Sequence, residues 1–109
     1  VRPAGDADVR GSLSAEVIRR VVRRHMNEVR FCYEQGLNSR PDLQGRVTVR
    51  FIISPTGSVQ TAMVANSSLG NGQVEGCISS AVRRWSFPSP EGGGIVIVNY
   101  PFMLTSSGG

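Results

Sequence analysis

The sequence predicts a single α+β domain with the element order helix, strand, strand, helix, strand (α-β-β-α-β). Two segments repeat apolar residues at helical spacing, residues 46–53 alternate with period two, and a β-branched run at 95–98 follows a glycine break. A hairpin followed by a crossover helix and a third strand forms a three-stranded antiparallel-type sheet with both helices on one face. The last strand is expected to pair with the first, which gives the spatial order 2-1-3.

The two ends of the chain show no periodicity. Residues 1–12 contain Pro3, Gly5 and Gly11 and are predicted to be the end of a flexible linker, while residues 105–109 are predicted to be a flexible tail. The folded domain is therefore expected to span residues 13–104. Because the chain begins at a valine and has no apolar run of about 18 residues, we expect a piece of a longer protein. Any membrane anchor would then lie outside this chain.

The first helix is predicted to begin after Ser14, a good N-cap residue, and to end at Gly36. Its apolar stripe consists of Ile18, Val22, His25, Val29, Cys32 and Tyr33. His25 is expected to be a core residue with a backbone hydrogen-bond partner. Arginines and glutamates spaced i,i+4 lie opposite the stripe and are predicted to form a solvated face.

An aromatic residue, Phe31, falls on this charged side of the first helix, where it is unexpected. Together with Arg23 and Arg30 it is a candidate accessory contact for a partner. The alternatives are that Phe31 is covered by a terminal segment such as residues 1–9, or that it is simply exposed.

The middle of the chain predicts a hairpin and a second helix. Residues 46–53 and 59–65 are predicted strands, joined by a Ser-Pro-Thr-Gly sequence at 54–57 that suits a type I turn. Val74 to Trp85 then repeats apolar residues at helical spacing behind Asn71, a good N-cap residue.

Two cysteines, Cys32 and Cys77, fall at the flanks of the two helix stripes. Two helices on one sheet face bring these flanks together, so we hypothesise a disulfide; a pair of buried free thiols is the alternative. Closing a loop of about 45 residues stabilises the fold by roughly 4 kcal/mol in the chain-entropy model. A disulfide would indicate an oxidising compartment such as a periplasm.

Composition excludes several function classes. The net charge is +4, but the 12 basic residues, all arginine, are interleaved with glutamates, so nucleic-acid binding is disfavoured and is kept as an alternative. Two thiols and one imidazole cannot complete a four-ligand zinc site without a carboxylate. No catalytic acid, base and nucleophile can be assembled. We expect no enzymatic activity, no metal and no cofactor.

The last strand is the main functional candidate. Pro101 has no N–H to give a neighbouring strand, which indicates that this strand lies at an edge of the sheet. Free backbone groups at an edge can bind another chain by strand addition. Replacing Val96 or Val98 with proline is expected to weaken such binding. The alternatives are that residues 95–98 only pack the core or pair in a homodimer.

An ordered set of short motifs in the chain resembles a known family. The motifs are Cys32-Tyr33-Glu34, Pro41-Asp42-Leu43-Gln44-Gly45-Arg46-Val47, Gly57-Ser58-Val59, Cys77-Ile78, Arg84-Trp85-Ser86-Phe87-Pro88, Gly93-Gly94 and Val98-Asn99-Tyr100-Pro101-Phe102. Over about residues 13 to 104 the chain resembles the C-terminal domain of TonB-like proteins, and more narrowly the AgmX/PglI C-terminal sub-family of myxobacterial gliding-motility proteins.

The resemblance implies a periplasmic module at the end of an inner-membrane-anchored protein. It implies binding of an outer-membrane or periplasmic envelope partner by strand addition to the last strand, and force transmission in a gliding-motility complex. The alternative within the same fold is a TonB paralogue that energises outer-membrane receptors. Carried over to this chain, the resemblance places the partner-binding edge at Ile95, Val96, Ile97, Val98, Asn99 and Tyr100. Pro101 and the two cysteines depart from TonB itself.

Overall fold

The computed structural model describes residues 1–106 and contains three α-helices and five β-strands. The helices are α1 (Ala15–Arg24), α2 (Met26–Ser39) and α3 (Gly72–Arg83). The strands are β1 (Arg2–Pro3), β2 (Asp8–Arg10), β3 (Gly45–Ile53), β4 (Val59–Ser67) and β5 (Val96–Leu104). Within this range, no helix combines the length and the apolarity that crossing a bilayer requires.

The three long strands form an antiparallel sheet in the order β4-β3-β5, which confirms the predicted order 2-1-3. Every residue of β5 has a partner in β3, from Val96 opposite Ile53 to Leu104 opposite Gly45. Alternate residues of β3 and β5 are buried against the helices, as period-two patterning requires. The sheet is therefore amphipathic, and its other face carries polar and partly buried side chains.

The sheet has five strands rather than the predicted three. The additional strands are β1 and β2, which both pair antiparallel with β5 on the side opposite β3. They lie in the segment predicted to be the end of a flexible linker. Strands of two and three residues are too short to show a periodic pattern in the sequence, which explains why they were missed. Of the predicted tail, residues 107–109 lie outside the described residues.

The predicted first helix is two helices. Ser14 caps α1 as predicted, since its hydroxyl accepts a hydrogen bond from the Val17 N–H. The helix then breaks at His25, and α2 continues past Gly36 to Ser39, so the predicted end at Gly36 is wrong. Gly36 is needed for packing instead of termination. A Cβ at this position would lie 2.5 Å from the Val74 Cγ2 atom of α3.

A disulfide joins Cys32 of α2 to Cys77 of α3, as hypothesised, with a Cα–Cα distance of 5.6 Å. The core beneath it is built from the inward residues of the three long strands, from Ile18, Val22 and Val29 on the helices, and from Trp85 and Phe87 after α3. The Tyr33 hydroxyl donates a hydrogen bond to the Leu43 carbonyl and fixes the chain that leads into β3. The disulfide therefore joins the two helices to each other, while packing and the Tyr33 hydrogen bond hold the helix layer on the sheet.

The break between α1 and α2 is held by three side chains. The His25 ring stacks on Trp85 at 4.8 Å, and its Nδ1 atom lies 2.6 Å from the Glu28 Oε2 atom. The Trp85 indole N–H donates to the other oxygen, Oε1, at 3.2 Å. The expected backbone partner of His25 is thus replaced by a carboxylate. This carboxylate links the helix junction to Trp85, which lies two residues after the end of α3.

This cluster predicts a pH dependence of stability. Burial raises the pKa of Glu28, but hydrogen bonds from His25 and Trp85 outweigh it and hold the pKa below its ordinary value. A depressed pKa stabilises the fold above the unfolded-state value, about 4.5, and this contribution is lost as the pH falls through the folded-state pKa. We expect Glu28→Gln to lower stability at pH 6 by about 1 kcal/mol or less, because the side chain is 41% exposed and solvent screens it.

Urea unfolding of the wild type and of Glu28→Gln between about pH 6 and pH 3 checks this prediction. The difference between the two proteins should shrink towards the acidic end. A difference that stays constant over the whole range would contradict the assignment to the Glu28 carboxylate.

Candidate partner-binding edge

The last strand is not a free edge. β5 pairs with β3 on one side, and on the other side, here called the outer edge, it pairs with β1 and β2. The expectation of unpaired backbone groups is therefore wrong for the chain as folded. Of the predicted site residues, the run 97–99 is paired with β2, while Ile95 precedes the strand and is 48% exposed.

The direction of the backbone groups in β5 follows from one hydrogen bond. The Ala4 N–H donates to the Pro101 carbonyl oxygen at 3.0 Å, so the Pro101 backbone faces the outer edge. The N–H and C=O of a strand residue point to one side of the strand, and those of the next residue point to the other. Ile97 and Asn99 therefore present their backbone groups to the outer edge, whereas Val96, Val98 and Tyr100 present theirs to β3. Proline at 96 or 98 would damage the β3 ladder rather than the outer edge.

Pro101 interrupts the outer edge. Arg2 and Pro3 lie opposite Met103 and Phe102, and Asp8 to Arg10 lie opposite 97–99, so the register shifts by two residues between the two short strands. Residues 4–7 therefore lie opposite only two residues of β5, Tyr100 and Pro101, and Pro101 has no N–H to donate. The N-terminal segment, defined as residues 1–11, is thereby divided into two short pairings rather than one continuous strand.

The side chains of the N-terminal segment alternate between the two faces of the sheet. Val9 lies opposite the fully buried Val98, and both Val9 and Ala7 pack against the core while remaining partly exposed. Asp8 and Arg10 lie on the open face of the sheet, and an ion pair of 3.7 Å joins them. Residues 7–10 alternate between apolar and charged types, but four residues are too few to distinguish a strand from an irregular segment by periodicity.

Basic side chains surround the outer edge on both faces. On the open face, Arg50 of β3 lies opposite Asn99 and lines a groove with Asp8, Arg10 and Ile97. On the helix face, burial raises the pKa of the Tyr100 phenol, and the nearby Arg19 and Arg23 act in the opposite direction without cancelling this effect. A strand at this edge therefore lies among guanidinium groups.

The candidate accessory residues are exposed. Phe31 is 58% exposed, so the N-terminal segment does not cover it. Arg23 lies near Tyr100, and Arg30 lines a groove with Val1 and Tyr33. The arrangement brings Arg30 to the start of the N-terminal segment and Arg23 near Tyr100 of β5, but it does not place Phe31 in that contact.

The opposite border of the sheet, at β4, is protected in a different way. Its pairing with β3 contains two register shifts, between Thr48 and Val49 and between Ile52 and Ile53. The Arg83 guanidinium also donates to the Ala62 carbonyl at 2.9 Å. Irregular register and a charged side chain both disfavour strand addition. Among residues 1–106, no group of three or more His, Cys, Asp or Glu side chains is arranged to hold a metal ion.

Comparison with known proteins supports the architecture. No protein-family model matches the chain, and no curated protein matches it. Among solved structures, it is similar to the solution structure of the Helicobacter pylori TonB C-terminal domain, with 21% sequence identity and a TM-score of 0.53 over 89% of this chain and 87% of that one. The chain therefore has the fold of a TonB C-terminal domain.

Proposed function

We propose that this chain is a non-enzymatic, TonB-like interaction domain that binds an envelope protein by strand addition at the outer edge of β5. One observation carries the proposal: this edge forms antiparallel main-chain pairs with strands from outside the β3-β4-β5 sheet, at two separate places. An edge that accepts β1 and β2 offers the same backbone groups to a partner. Ile97 and Asn99 supply those groups, and Val96, Val98 and Tyr100 support them from the core side.

The proposed cellular role is force transmission in a trans-envelope complex of the gliding-motility type. Several main-chain hydrogen bonds loaded together in shear resist rupture better than bonds broken singly, and an added strand provides this geometry. The disulfide supports a periplasmic location, since disulfides persist in oxidising compartments. The parent protein would be anchored in the inner membrane by a segment outside this chain, as the resemblance to the AgmX/PglI sub-family implies.

Locking the N-terminal segment on β5 tests the site. Val9 and Val98 are direct partners, and the backbone directions make them a non-hydrogen-bonded pair, for which Cα atoms lie about 4.5 Å apart. This distance is within the range that a disulfide bridges. We expect Val9→Cys with Val98→Cys to reduce capture of the envelope partner from outer-membrane extract at least tenfold.

The matched control is Val9→Ala with Val98→Ala, which alters the same positions without a covalent lock. Peptide mapping verifies that cysteines 9 and 98, and 32 and 77, have paired correctly. Equal capture by the locked and wild-type proteins would place the binding surface elsewhere. Steeply salt-dependent binding to DNA, with no envelope partner, would instead favour the nucleic-acid alternative.

A further inference from the structure

We infer that the N-terminal segment is an exchangeable, intramolecular ligand of the β5 outer edge, and that it displays the chemistry of the partner strand. The partner is an extended segment that binds antiparallel, with a small apolar residue facing inward opposite Val98 and an acidic residue facing outward opposite Asn99. This inference rests on the proposed function and specifies the partner.

The segment is held weakly enough to exchange. It pairs with β5 at five positions in two separate runs, and none of its residues is fully buried. Gly5, in the link between the two runs, has a φ of +145° and no heavy atom within 4 Å of a Cβ built on it, so this residue contributes no packing. All the buried residues of the core lie outside this segment, which adds only the partly buried Val1, Ala7 and Val9 at its surface.

The shape of the site fixes the inward residues of the partner. Val98 and Tyr100 are buried, Val9 lies opposite Val98, and both Val9 and Ala7 pack against the core. A large or charged side chain opposite Val98 would have to displace that packing. Pro101 limits the ladder, because a partner carbonyl opposite that position finds no N–H from which to accept a hydrogen bond.

Charge fixes the outward residues. Asp8 lies in one groove with Arg50, while Arg19 and Arg23 lie near Tyr100 on the other face. The protein side of the edge therefore supplies positive charge on both faces, and an acidic residue opposite Asn99 complements the charge of Arg50 on the open face. The N-terminal segment carries as many arginines as aspartates, and Asp8, which also pairs with Arg10 at 3.7 Å, supplies the carboxylate at this place.

The experiment opens the edge by one substitution in the full chain. Gly11 has a φ of +132°, and a Cβ there would lie 2.7 Å from the Ile95 carbonyl oxygen and 2.9 Å from the Val96 Cγ2 atom. Gly11→Val should therefore move the N-terminal segment off β5. Gly94→Val is the matched control, because Gly94 has an ordinary φ of −89° and open space around it.

The first readout is amide hydrogen exchange. In Gly11→Val, the amides of Ile97 and Asn99 should exchange at least tenfold faster than in the wild type, while those of Val96, Val98 and Tyr100 stay protected by β3. This pattern shows that the edge has opened in a folded protein. Loss of protection at all five positions in Gly11→Val would mean that the segment is part of the fold, and would overturn the inference.

The second readout is binding of a labelled peptide that copies residues 1–11. We expect it to bind Gly11→Val at least tenfold more tightly than the wild type or Gly94→Val, and to restore slow exchange at Ile97 and Asn99. Peptides with Val9→Asp or Asp8→Arg should bind at least fivefold more weakly. Unchanged binding of both altered peptides would overturn the proposed partner chemistry, as would dimerisation of Gly11→Val through swapped segments.

The two proposals fail separately. Peptide exchange without capture of any envelope protein by the wild type would support the exchange site and contradict the proposed function. Partner capture that is as strong in the locked Val9→Cys, Val98→Cys protein as in the wild type would contradict exchange at this edge, whatever the peptide does.

Discussion

Replacing Cys32 and Cys77 with alanine is expected to lower the free energy of unfolding by about 4 kcal/mol. The disulfide links α2 to α3 across a sequence separation of 45 residues, and a cross-link of this span removes substantial loop entropy from the unfolded chain. For a domain of this size, the loss corresponds to a decrease in Tm of roughly 15 to 25 °C. Calorimetry on the variant and the wild type measures it.

Reduction of the wild-type protein is the control, because it removes the cross-link without changing side-chain volume. The reduced protein and the alanine variant should unfold within a few degrees of each other. Ellman's reagent should find no titratable thiol in unreduced, denatured wild type. Two thiols under those conditions would reject the disulfide, and a variant as stable as the wild type would contradict its energetic role.

Gly57→Ala is expected to destabilise the fold by about 2 to 4 kcal/mol. Gly57 ends the turn between β3 and β4 with a φ of +95°, which L side chains rarely adopt. A Cβ there would lie 2.0 Å from the Phe87 carbonyl oxygen, and the Gly57 carbonyl accepts a hydrogen bond from the Phe87 N–H at 2.9 Å. Because the obstacle is backbone, the turn must separate from the segment that follows α3.

Gly76→Ala is the matched control for this second prediction. Gly76 lies inside α3 with no heavy atom within 4 Å of a built Cβ, so alanine should stabilise the helix by about 0.5 to 1 kcal/mol. Chemical denaturation of both variants should give changes in the free energy of unfolding that have opposite signs. A loss below about 1 kcal/mol for Gly57→Ala would show that the close approach to Phe87 relaxes easily.

The outer edge of β5 and the border of the sheet at β4 are protected from the addition of other chains in two different ways. Exposed strand edges recruit other chains unless they are covered. At β4 the protection is built into the strand by register shifts and by Arg83, so it cannot be removed without altering the sheet. At β5 the protection is a separate segment that can leave. This difference is the reason for assigning partner binding to β5.

The candidate site was predictable in part. The amino-acid types at 95–101 indicated a strand, which the structure confirms, and Pro101 indicated that this strand lies at an edge of the sheet. Pro101 does face the outer edge, but β1 and β2 pair along it, so β5 is not the open edge that was expected. The sequence could not show which of the two alternating sets, 96 and 98 or 97 and 99, presents its backbone N–H and C=O groups to the outer edge. That choice depends on the register with β3.

The sequence by itself determined the long elements, the caps at Ser14 and Asn71, the hairpin turn and the flank positions of the cysteines, because each depends on residues within a few positions or within one helical stripe. Tertiary structure alone decided the break at His25 and the pairing of β1 and β2 with β5. The break is held by contacts with Trp85, and the short strands are held by a partner about 90 residues away in the chain. Local periodicity carries no record of such distant contacts.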